Sequence, residues 1–307
     1  MTRDELLDQL RPTAFGIAYR MLGSVSEAED VVQEALLRVH QSLEAGEVIT
    51  SPRAYAATVT TRLAINELRS ARARRERYVG EWLPEPIITD GRGERDDPAV
   101  AAETADSLSL AMLVLLESLS PEQRAVLLLH DVFGYGYTEI TDIVGKTEDN
   151  VRQLATRARR HVKERRPRFE TTREQQNELA GRFFAAARHG DLAGLETLLA
   201  HDVELTGDGG GKVPALARSQ HGRSRVAHTL VNWLHALARF PQVSMRAVEV
   251  NGAPGAIYVD DEERILGVWS LEINGCEITG VRSIVNPDKL AHLGPVGDVA
   301  AIIRSAR

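Results

Sequence analysis

Apolar residues recur every three or four positions through the first 170 residues, a spacing typical of amphipathic helices. One such stretch has its apolar face at Ala28, Val31, Val32, Ala35, Leu36 and Val39. Ser26 and Glu29 have the spacing of a capping box and predict the start of this helix. Ser51-Pro52 and Pro121 predict two further helix starts, because proline is favoured in the first helical turn.

Two helices around Gly145-Lys146 form the most informative helical pattern of the chain. Thr138 and Thr147 are the predicted N-caps of the first and the second helix. The second helix has one apolar face, formed by Val151, Leu154, Ala155, Ala158 and Val162. Its opposite face carries Asp149, Gln153, Thr156 and Arg160. The pattern predicts a helix-turn-helix.

The pattern changes after about residue 170. Thr172 with Gln175 predicts a capped helix, and Asp191 precedes a short one. Strand-like runs then follow at residues 243–250, 256–259, 265–273 and 277–285. Asn274-Gly275 between the last two is a strong hairpin signal. Helices followed by an antiparallel meander predict an α+β domain.

The formal net charge of −7 over 307 residues argues, taken alone, against a nucleic-acid partner. The charge is uneven, however, since residues 62–80 hold six basic and two acidic side chains and residues 146–168 hold nine and three. Residues 81–131 hold three basic and eleven acidic side chains, and the Gly- and Pro-rich segment 79–106 is a predicted linker. A phosphate group is attracted by the electrostatic field of nearby side chains and not by the net charge of the whole chain. The two basic blocks therefore indicate either DNA-binding helices or solvated helix faces.

The cysteine content and the hydropathy of the chain indicate the cellular compartment of the protein. The single cysteine, Cys276, excludes an internal disulfide and a cysteine zinc site. No run of about 18 apolar residues could span a bilayer, and the first residues lack the layout of a signal peptide. We therefore expect a cytoplasmic protein with no membrane partner, no metal and no cofactor.

Side chains that could bind base edges are concentrated at the start of the second helix of the predicted helix-turn-helix, the recognition helix. The groove-facing side chains would be Glu148, Asp149, Arg152, Gln153 and Thr156. Arginine can bind guanine, glutamine can bind adenine, and carboxylates can accept from cytosine. The predicted phosphate contacts are Arg157, Arg159, Arg160 and Lys163. A three-helix core with a basic rim is the alternative interpretation.

Three segments and the C-terminal tail carry a family resemblance. AYRMLGSVSEAEDVVQEALLRVHQ at 18–41 and TRLAINELRSARARRERYVGEWLPEP at 61–86 resemble region 2 of an extracytoplasmic-function sigma factor. LESLSPEQRAVLLLHDVFGYGYTEITDIVGKTEDNVRQLATRARRHV at 116–162 resembles region 4. The tail, with Asp208-Gly-Gly-Gly-Lys212 and Asn286-Pro-Asp-Lys-Leu290, is similar to the SnoaL-like extension of one subgroup.

The resemblance implies a multidomain fold with two all-α sigma modules and a C-terminal α+β SnoaL-like cone. The implied domains are region 2 at 1–78, the acidic linker at 79–106, region 4 at 107–169 and the extension at 170–307. Region 4 would bind the minus-35 element. The minus-10 element would be read by Arg62, Asn66, Arg69 and Arg72. Core RNA polymerase would be contacted by Asp30, Gln33, Glu34 and Leu37.

The resemblance also implies that the extension modulates activity in cis. The implied contact residues are Trp82, Pro84, Asp208, Gly209, Gly210, Gly211, Lys212, Asn286, Pro287 and Asp288. Such an extension could replace a separate anti-sigma factor, so none is expected as a partner. Its pocket could hold a small molecule.

Two other functions remain open at this point. A one-component transcription regulator could sense a small molecule through the tail. A SnoaL-like isomerase or hydrolase with a DNA-binding module would need a general acid and base. The candidates for those roles are Asp202, Asp208, His221, His228 and His235, which are more commonly surface or core-edge residues.

Overall fold

The computed structural model describes residues 2–75, 77–89, 108–165, 172–237 and 239–305. Contacts divide the chain into two units. The helical unit comprises Met1–Arg77 and Met112–Arg166, and the linker–sheet unit comprises Tyr78–Ala111 and Pro167–Arg307. The segment Tyr78–Ala111 between the two helical halves thus belongs to the same unit as the C-terminal domain, and we name this segment the linker.

The helical unit begins with three helices that pack on one another. They are α1 (Arg3–Leu22), α2 (Val25–Glu44) and α3 (Pro52–Arg75). Gly23, with φ of 67°, ends α1, and the Ser24 hydroxyl then accepts from the Glu27 amide to start α2. The predicted Ser26–Glu29 cap is therefore wrong by two residues, because α1 continues to Leu22 and Ser24 takes the capping position.

Four shorter helices complete this part of the described chain. They are α4 (Leu110–Glu117), α5 (Pro121–Asp131), α6 (Tyr137–Val144) and α7 (Glu148–Arg165). The turn from α6 to α7 uses Gly145 in the left-handed region, with φ of 65°, which confirms the predicted helix-turn-helix. The N-cap of α6 is Gly136 and not the predicted Thr138, since the Gly136 amide donates to the Glu139 carboxylate at 2.8 Å.

The linker–sheet unit packs helices against a six-stranded sheet. The helices are α8 (Arg173–His189), α9 (Leu192–Leu198), α10 (Arg223–Leu237) and α11 (Val299–Ser305). The strands are β1 (Leu199–Asp208), β2 (Gln220–His221), β3 (Ser244–Val250), β4 (Ala253–Val259), β5 (Ile265–Asn274) and β6 (Glu277–Ile284). Short 3-10 turns follow at Pro287–Lys289 and Ala291–Leu293. This arrangement confirms the predicted α+β domain.

The strand order is β2-β1-β6-β5-β4-β3, with β1 parallel to β6 and every other pair antiparallel. The β5–β6 hairpin is confirmed, although Asn274 pairs with Glu277 and the turn lies one residue later than predicted. The ten-residue strand β1 was missed. The order places β3 at one edge of the sheet and β1 near the other.

Candidate nucleic-acid interface and linker contacts

Helix α7 presents the predicted base-reading residues on its exposed face. Val151, Ala155, Ala158 and Val162 are buried against the rest of the helical unit. The exposed side chains are Asp149, Arg152, Gln153, Thr156, Arg157 and Arg160, while Glu148 is half-buried. The predicted split between an apolar and a polar face is thus present in α7. The DNA roles of these residues stay a prediction.

Arg152 is held in place before any DNA arrives. Its guanidinium donates to the Glu148 carboxylate from Nε at 3.0 Å and from Nη2 at 2.5 Å. It also lies over the Tyr137 ring, 4.6 Å from the ring centroid. A guanidinium fixed in this way loses less conformational freedom on binding a base edge.

Arg159 differs from its neighbours on α7. Its Nε donates to Asp131 at 2.9 Å, its Nη1 donates to the Tyr137 hydroxyl at 3.0 Å, and the Asp131 hydrogen bond raises its pKa. The guanidinium therefore joins α7 to α5 and α6. Arg159, a predicted phosphate contact, is thus bound within the helical unit.

Helix α3 uses two of its predicted minus-10 side chains to contact α5 and α6. Arg62 donates to the carbonyls of Asp142 at 2.6 Å and Ile143 at 3.0 Å, which lie at the C-terminal end of α6. Arg69 pairs with Glu122 at 2.5 Å. Asn66 is exposed, and the side chain of Arg72 lies outside the described residues.

A buried arginine adds a further bond between the two halves of the helical unit. Arg124 is 1% exposed and donates to the Met21 carbonyl at 2.5 Å, the Leu116 carbonyl at 3.0 Å and Glu117 at 2.6 Å. Glu117 also pairs with Arg75 of α3. These bonds hold α1 and α3 against α5, so the two predicted DNA-binding modules are packed together in this unit.

The predicted polymerase-contact residues form one patch on α2. Asp30, Gln33 and Leu37 are exposed, and Glu34 is half-buried and pairs with Arg38 at 2.7 Å. Leu37 is 49% exposed, which is unusual for a large apolar side chain on a helix that buries its other face. The patch has the composition of a small docking surface.

Asp208, at the end of β1, is the centre of the linker contacts. Its carboxylate is fully buried and accepts from the Tyr78 hydroxyl at 2.5 Å and the Leu83 amide at 2.8 Å. It also pairs with Lys289 at 2.6 Å. Burial and the hydrogen bond to Asp208 raise the pKa of Tyr78, so the phenol stays protonated as the donor. One acidic side chain thus binds two points of the linker.

Lys289 is buried although it carries a charge. Its ammonium lies 4.2 Å from the centroid of the Trp82 ring and 4.8 Å from that of Tyr78, and it also donates to the Leu83 carbonyl. Aromatic faces attract a cation more strongly where water is excluded. We name Tyr78, Trp82, Asp208 and Lys289 the linker clamp.

The glycines of the Asp208–Lys212 motif allow a close approach to the clamp. Gly210, with φ of 59°, lies so near Asn286 that a Cβ atom would collide with the amide of Asn286. Asn286 donates to the Tyr78 hydroxyl at 2.8 Å. Lys212 pairs with Asp288 at 2.6 Å on the surface. Gly209 and Gly211 lie in the same turn, Pro84 is buried in the linker, and Pro287 begins the adjacent 3-10 turn.

Asn251, in the turn between β3 and β4, binds the linker at two distant positions. Its Oδ1 accepts from the Ile87 amide at 2.9 Å, and its Nδ2 donates to the Leu108 carbonyl at 3.0 Å. It is fully buried and has a left-handed backbone, with φ of 53°. Thr89 continues the contact by donating its amide to the Glu249 carbonyl at 2.9 Å. Edge strand β3 thus binds the linker by main-chain pairing.

Asp208, Trp82 and Asn286 were predicted from sequence motifs, and the structure brings them together. Tyr78, Lys289 and Asn251, which bind directly across the clamp and the turn, were not predicted. Asn251-Gly252 is itself a hairpin signal that could have been noticed. Lys289 lies inside the Asn286–Leu290 motif.

The candidate acid and base residues do not form a catalytic group. Asp202, His221, His228 and His235 are exposed, and Asp208 is occupied by the clamp. Within the described ranges no cluster of three or more His, Cys, Asp or Glu could hold a metal ion. The domain interior contains Tyr258 and Trp269 with ring centroids 5.2 Å apart. Occupation of a pocket by a small molecule stays a prediction.

In the part of the chain that the structure describes, no helix has the length and apolar content needed to cross a bilayer.

Two family models match the chain in order. Residues 6–74 match sigma-70 region 2, and residues 109–162 match sigma-70 region 4. All four predicted minus-10 contacts and the polymerase patch fall in the first match, and the base-reading face of α7 falls in the second.

Full-length relatives extend the similarity to the C-terminal domain. The chain is 35% identical over 289 residues to the ECF RNA polymerase sigma factor SigJ of Mycobacterium tuberculosis (strain ATCC 25618 / H37Rv), covering 92% of this chain and 91% of the relative. It is 32% identical over 282 residues to a probable ECF RNA polymerase sigma factor, SigI, of the same species (strain CDC 1551 / Oshkosh), covering 90% and 91%. The crystal structure of M. tuberculosis SigJ superposes with a TM-score of 0.74 at 34% identity, covering 92% of this chain and 96% of that one. Both sigma regions and a similarity that continues through the sheet domain lead to one conclusion: the chain belongs to the extracytoplasmic-function sigma factors of RNA polymerase.

Proposed function

We propose that this sigma factor directs core RNA polymerase to promoters and that its C-terminal domain limits this activity in cis by holding the linker between regions 2 and 4. The observation that carries the proposal is the binding of Ile87 and Leu108 to the same side chain, Asn251. The linker clamp holds the beginning of the same segment.

The extended length of the linker sets the largest distance that regions 2 and 4 can span. Residues 78–111, fully extended, reach about 115 Å. With Ile87 and Leu108 held together, only residues 78–87 and 108–111 bridge the two regions, and the reach falls to about 48 Å. The minus-10 and minus-35 elements, about 25 base pairs apart, lie about 85 Å apart along the duplex. Releasing Asn251 therefore favours binding of both elements at once.

The two DNA-reading helices have different tasks in this proposal. The exposed face of α7 reads the minus-35 element through Glu148, Asp149, Arg152, Gln153 and Thr156, with Arg157 and Arg160 on phosphates. Helix α3 reads the minus-10 element through Arg62, Asn66, Arg69 and Arg72. Arg62 and Arg69 must first leave Asp142, Ile143 and Glu122, so opening of the helical unit accompanies promoter binding.

Core polymerase binds the α2 patch of Asp30, Gln33, Glu34 and Leu37 in this proposal. The protein acts by binding and carries out no covalent step. Because the linker is held by its own C-terminal domain, no separate anti-sigma factor is required. The exposure of the candidate histidines supports regulation over isomerase or hydrolase activity.

Reconstitution with sigma-free core polymerase on a promoter library tests the proposal. We expect transcripts with discrete start sites that depend on the chain, and copurification of the chain with core polymerase. A one-component regulator would not substitute for a sigma subunit, so start sites independent of the chain would contradict the proposal. Turnover of a small molecule by the purified chain would favour the enzyme instead.

A further inference from the structure

Tyr137, the first residue of α6, contacts two arginines of α7 with different parts of its side chain. The guanidinium of Arg152 lies over its ring, 4.6 Å from the ring centroid. Its hydroxyl accepts from Nη1 of Arg159 at 3.0 Å. The two arginines are seven residues apart, which is about two helical turns and places them on the same side of α7. One tyrosine of the first helix of the helix-turn-helix therefore contacts two successive turns of the second.

Contacts with α5 fix the Tyr137 ring. The His130 ring lies 4.3 Å from it, with the two planes tilted by 44°. Arg159, which binds the Tyr137 hydroxyl, also donates to the Asp131 carboxylate from Nε at 2.9 Å. Its Nη2 lies 3.1 Å from Nδ1 of His130, which accepts because a guanidinium can only donate. The ring is thus held by His130 and, at its hydroxyl, by Arg159.

Glu148 alone does not fix the guanidinium of Arg152. The pair is 2.5 Å long, but its side chains are 56% and 42% exposed, and exposed pairs of this kind are weak. A guanidinium is planar and stacks on aromatic faces, so a fixed ring restricts both its position and its tilt. Bidentate binding of guanine requires a restricted plane, because both hydrogen bonds must align with one base edge. The orientation of Arg152 therefore depends on the Tyr137 ring.

We infer that Tyr137 is a positioning residue for recognition of the minus-35 element. Its ring orients Arg152 toward the base edge, and its hydroxyl, bound by Arg159, fixes the ring against α5. This role rests on the proposed function, in which Arg152 reads a base. Sequence preference at one promoter position thus depends on the first helix of the helix-turn-helix as well as on the second.

Selection from a randomised minus-35 library by the full chain assembled with core polymerase tests this role. Tyr137→Met keeps an apolar side chain without a flat ring, and Tyr137→Phe keeps the ring without the hydroxyl. The preference of Tyr137→Met should fall at least about five-fold at the position that Arg152→Ala affects, whereas Tyr137→Phe should stay within about two-fold of the wild type. Tyr55→Met is the matched control, because Tyr55 is also half-buried on a helix with its hydroxyl hydrogen-bonded, to Ser42 at 3.0 Å. It should keep the wild-type preference.

Combining Tyr137→Met with Arg152→Ala separates positioning from general packing. With no guanidinium to orient, Tyr137→Met should cause no further loss of preference in the Arg152→Ala background. A tyrosine that only packs α6 would lower the affinity for every sequence equally and leave the preference unchanged in both backgrounds, which would overturn the assignment. Tyr137→Gln, a good helix former, replaces Tyr137→Met if that variant does not fold.

NMR relaxation of the Arg152 Nε in the free chain reports on the same role without DNA. Its order parameter should fall in Tyr137→Met and stay near the wild-type value in Tyr137→Phe. An unchanged order parameter in Tyr137→Met would overturn the positioning role even with promoter binding intact. If the wild-type complex selects no minus-35 sequence, the proposed function fails, and the order parameter still decides whether Tyr137 fixes Arg152.

Discussion

The carboxylate of Asp208 and the ammonium of Lys289 form an ion pair of 2.6 Å in which the side chains are 0% and 7% exposed. Breaking one half of such a pair leaves a buried charge without a partner, which costs more than the pair contributes when intact. The same two side chains also contact the linker at Tyr78, Trp82 and Leu83. Linker binding and the stability of the sheet domain therefore depend on the same charges.

Lys289→Met should lower the free energy of unfolding of the linker–sheet unit by about 3–5 kcal/mol, because Asp208 then stays buried and unpaired. Lys212→Met is the matched control, since it removes an exposed partner of Asp288 at the same 2.6 Å distance. Its expected cost is at most about 1 kcal/mol. Urea unfolding of the full chain measures both, and equal costs would refute the role given to the buried pair.

Asn251→Gly should release the linker without straining the turn, since glycine adopts positive φ readily and only the side-chain amide is lost. Hydrogen exchange at the Ile87 amide should accelerate at least about ten-fold, the effect of losing roughly 1.4 kcal/mol of protection. Glu263→Gly changes the other described non-glycine residue with positive φ and is the control. Unchanged exchange at Ile87 would show that the linker is held elsewhere.

Glu122→Gln should loosen the packing of α3 on α5 and leave Arg69 intact for DNA. The pair is half exposed, so the expected gain in the affinity of the complex with core polymerase for promoter DNA is at most about five-fold, equivalent to about 1 kcal/mol. Fluorescence anisotropy with a labelled promoter duplex measures this affinity. Glu277→Gln breaks a similar exposed pair in the sheet domain and should have no effect. A loss of affinity in Glu122→Gln would contradict the requirement for opening.

Arg152→Ala should change the sequence preference at the minus-35 element by about 1–3 kcal/mol at one position. Arg159→Ala should instead lower the melting temperature and keep the preference, because Arg159 is bound to Asp131 and Tyr137. Selection from a randomised minus-35 library distinguishes these outcomes. The same preference in Arg152→Ala and the wild type would exclude Arg152 as a base contact.

The helices could be predicted because their signal is local. The 3.6-residue period identified α2, α3 and α7. The errors concerned caps such as Ser24, where Ser24 and Ser26, two residues apart, compete for one position. Strand β1 was missed because Val203 and Leu205 alone give a short alternation, and its main partner, β6, lies more than 70 residues away.

The linker contacts could be predicted only in part. Asp208 and Trp82 came from motifs, whereas Asn251 binds residues 164 and 143 positions away in the sequence. No periodicity encodes such pairs. A buried lysine such as Lys289 also runs against the usual exposure of lysine, and only its aromatic and acidic neighbours account for it.

Promoter-directed transcription by the reconstituted holoenzyme tests most directly whether the C-terminal domain limits activity through the linker. The assay compares wild type, Asn251→Gly and the control Glu263→Gly on one promoter found in the library, at saturating core polymerase. The account predicts more transcript from Asn251→Gly than from the other two, which should be equal. Equal or lower output from Asn251→Gly, with the chain folded and bound to core polymerase, would contradict it.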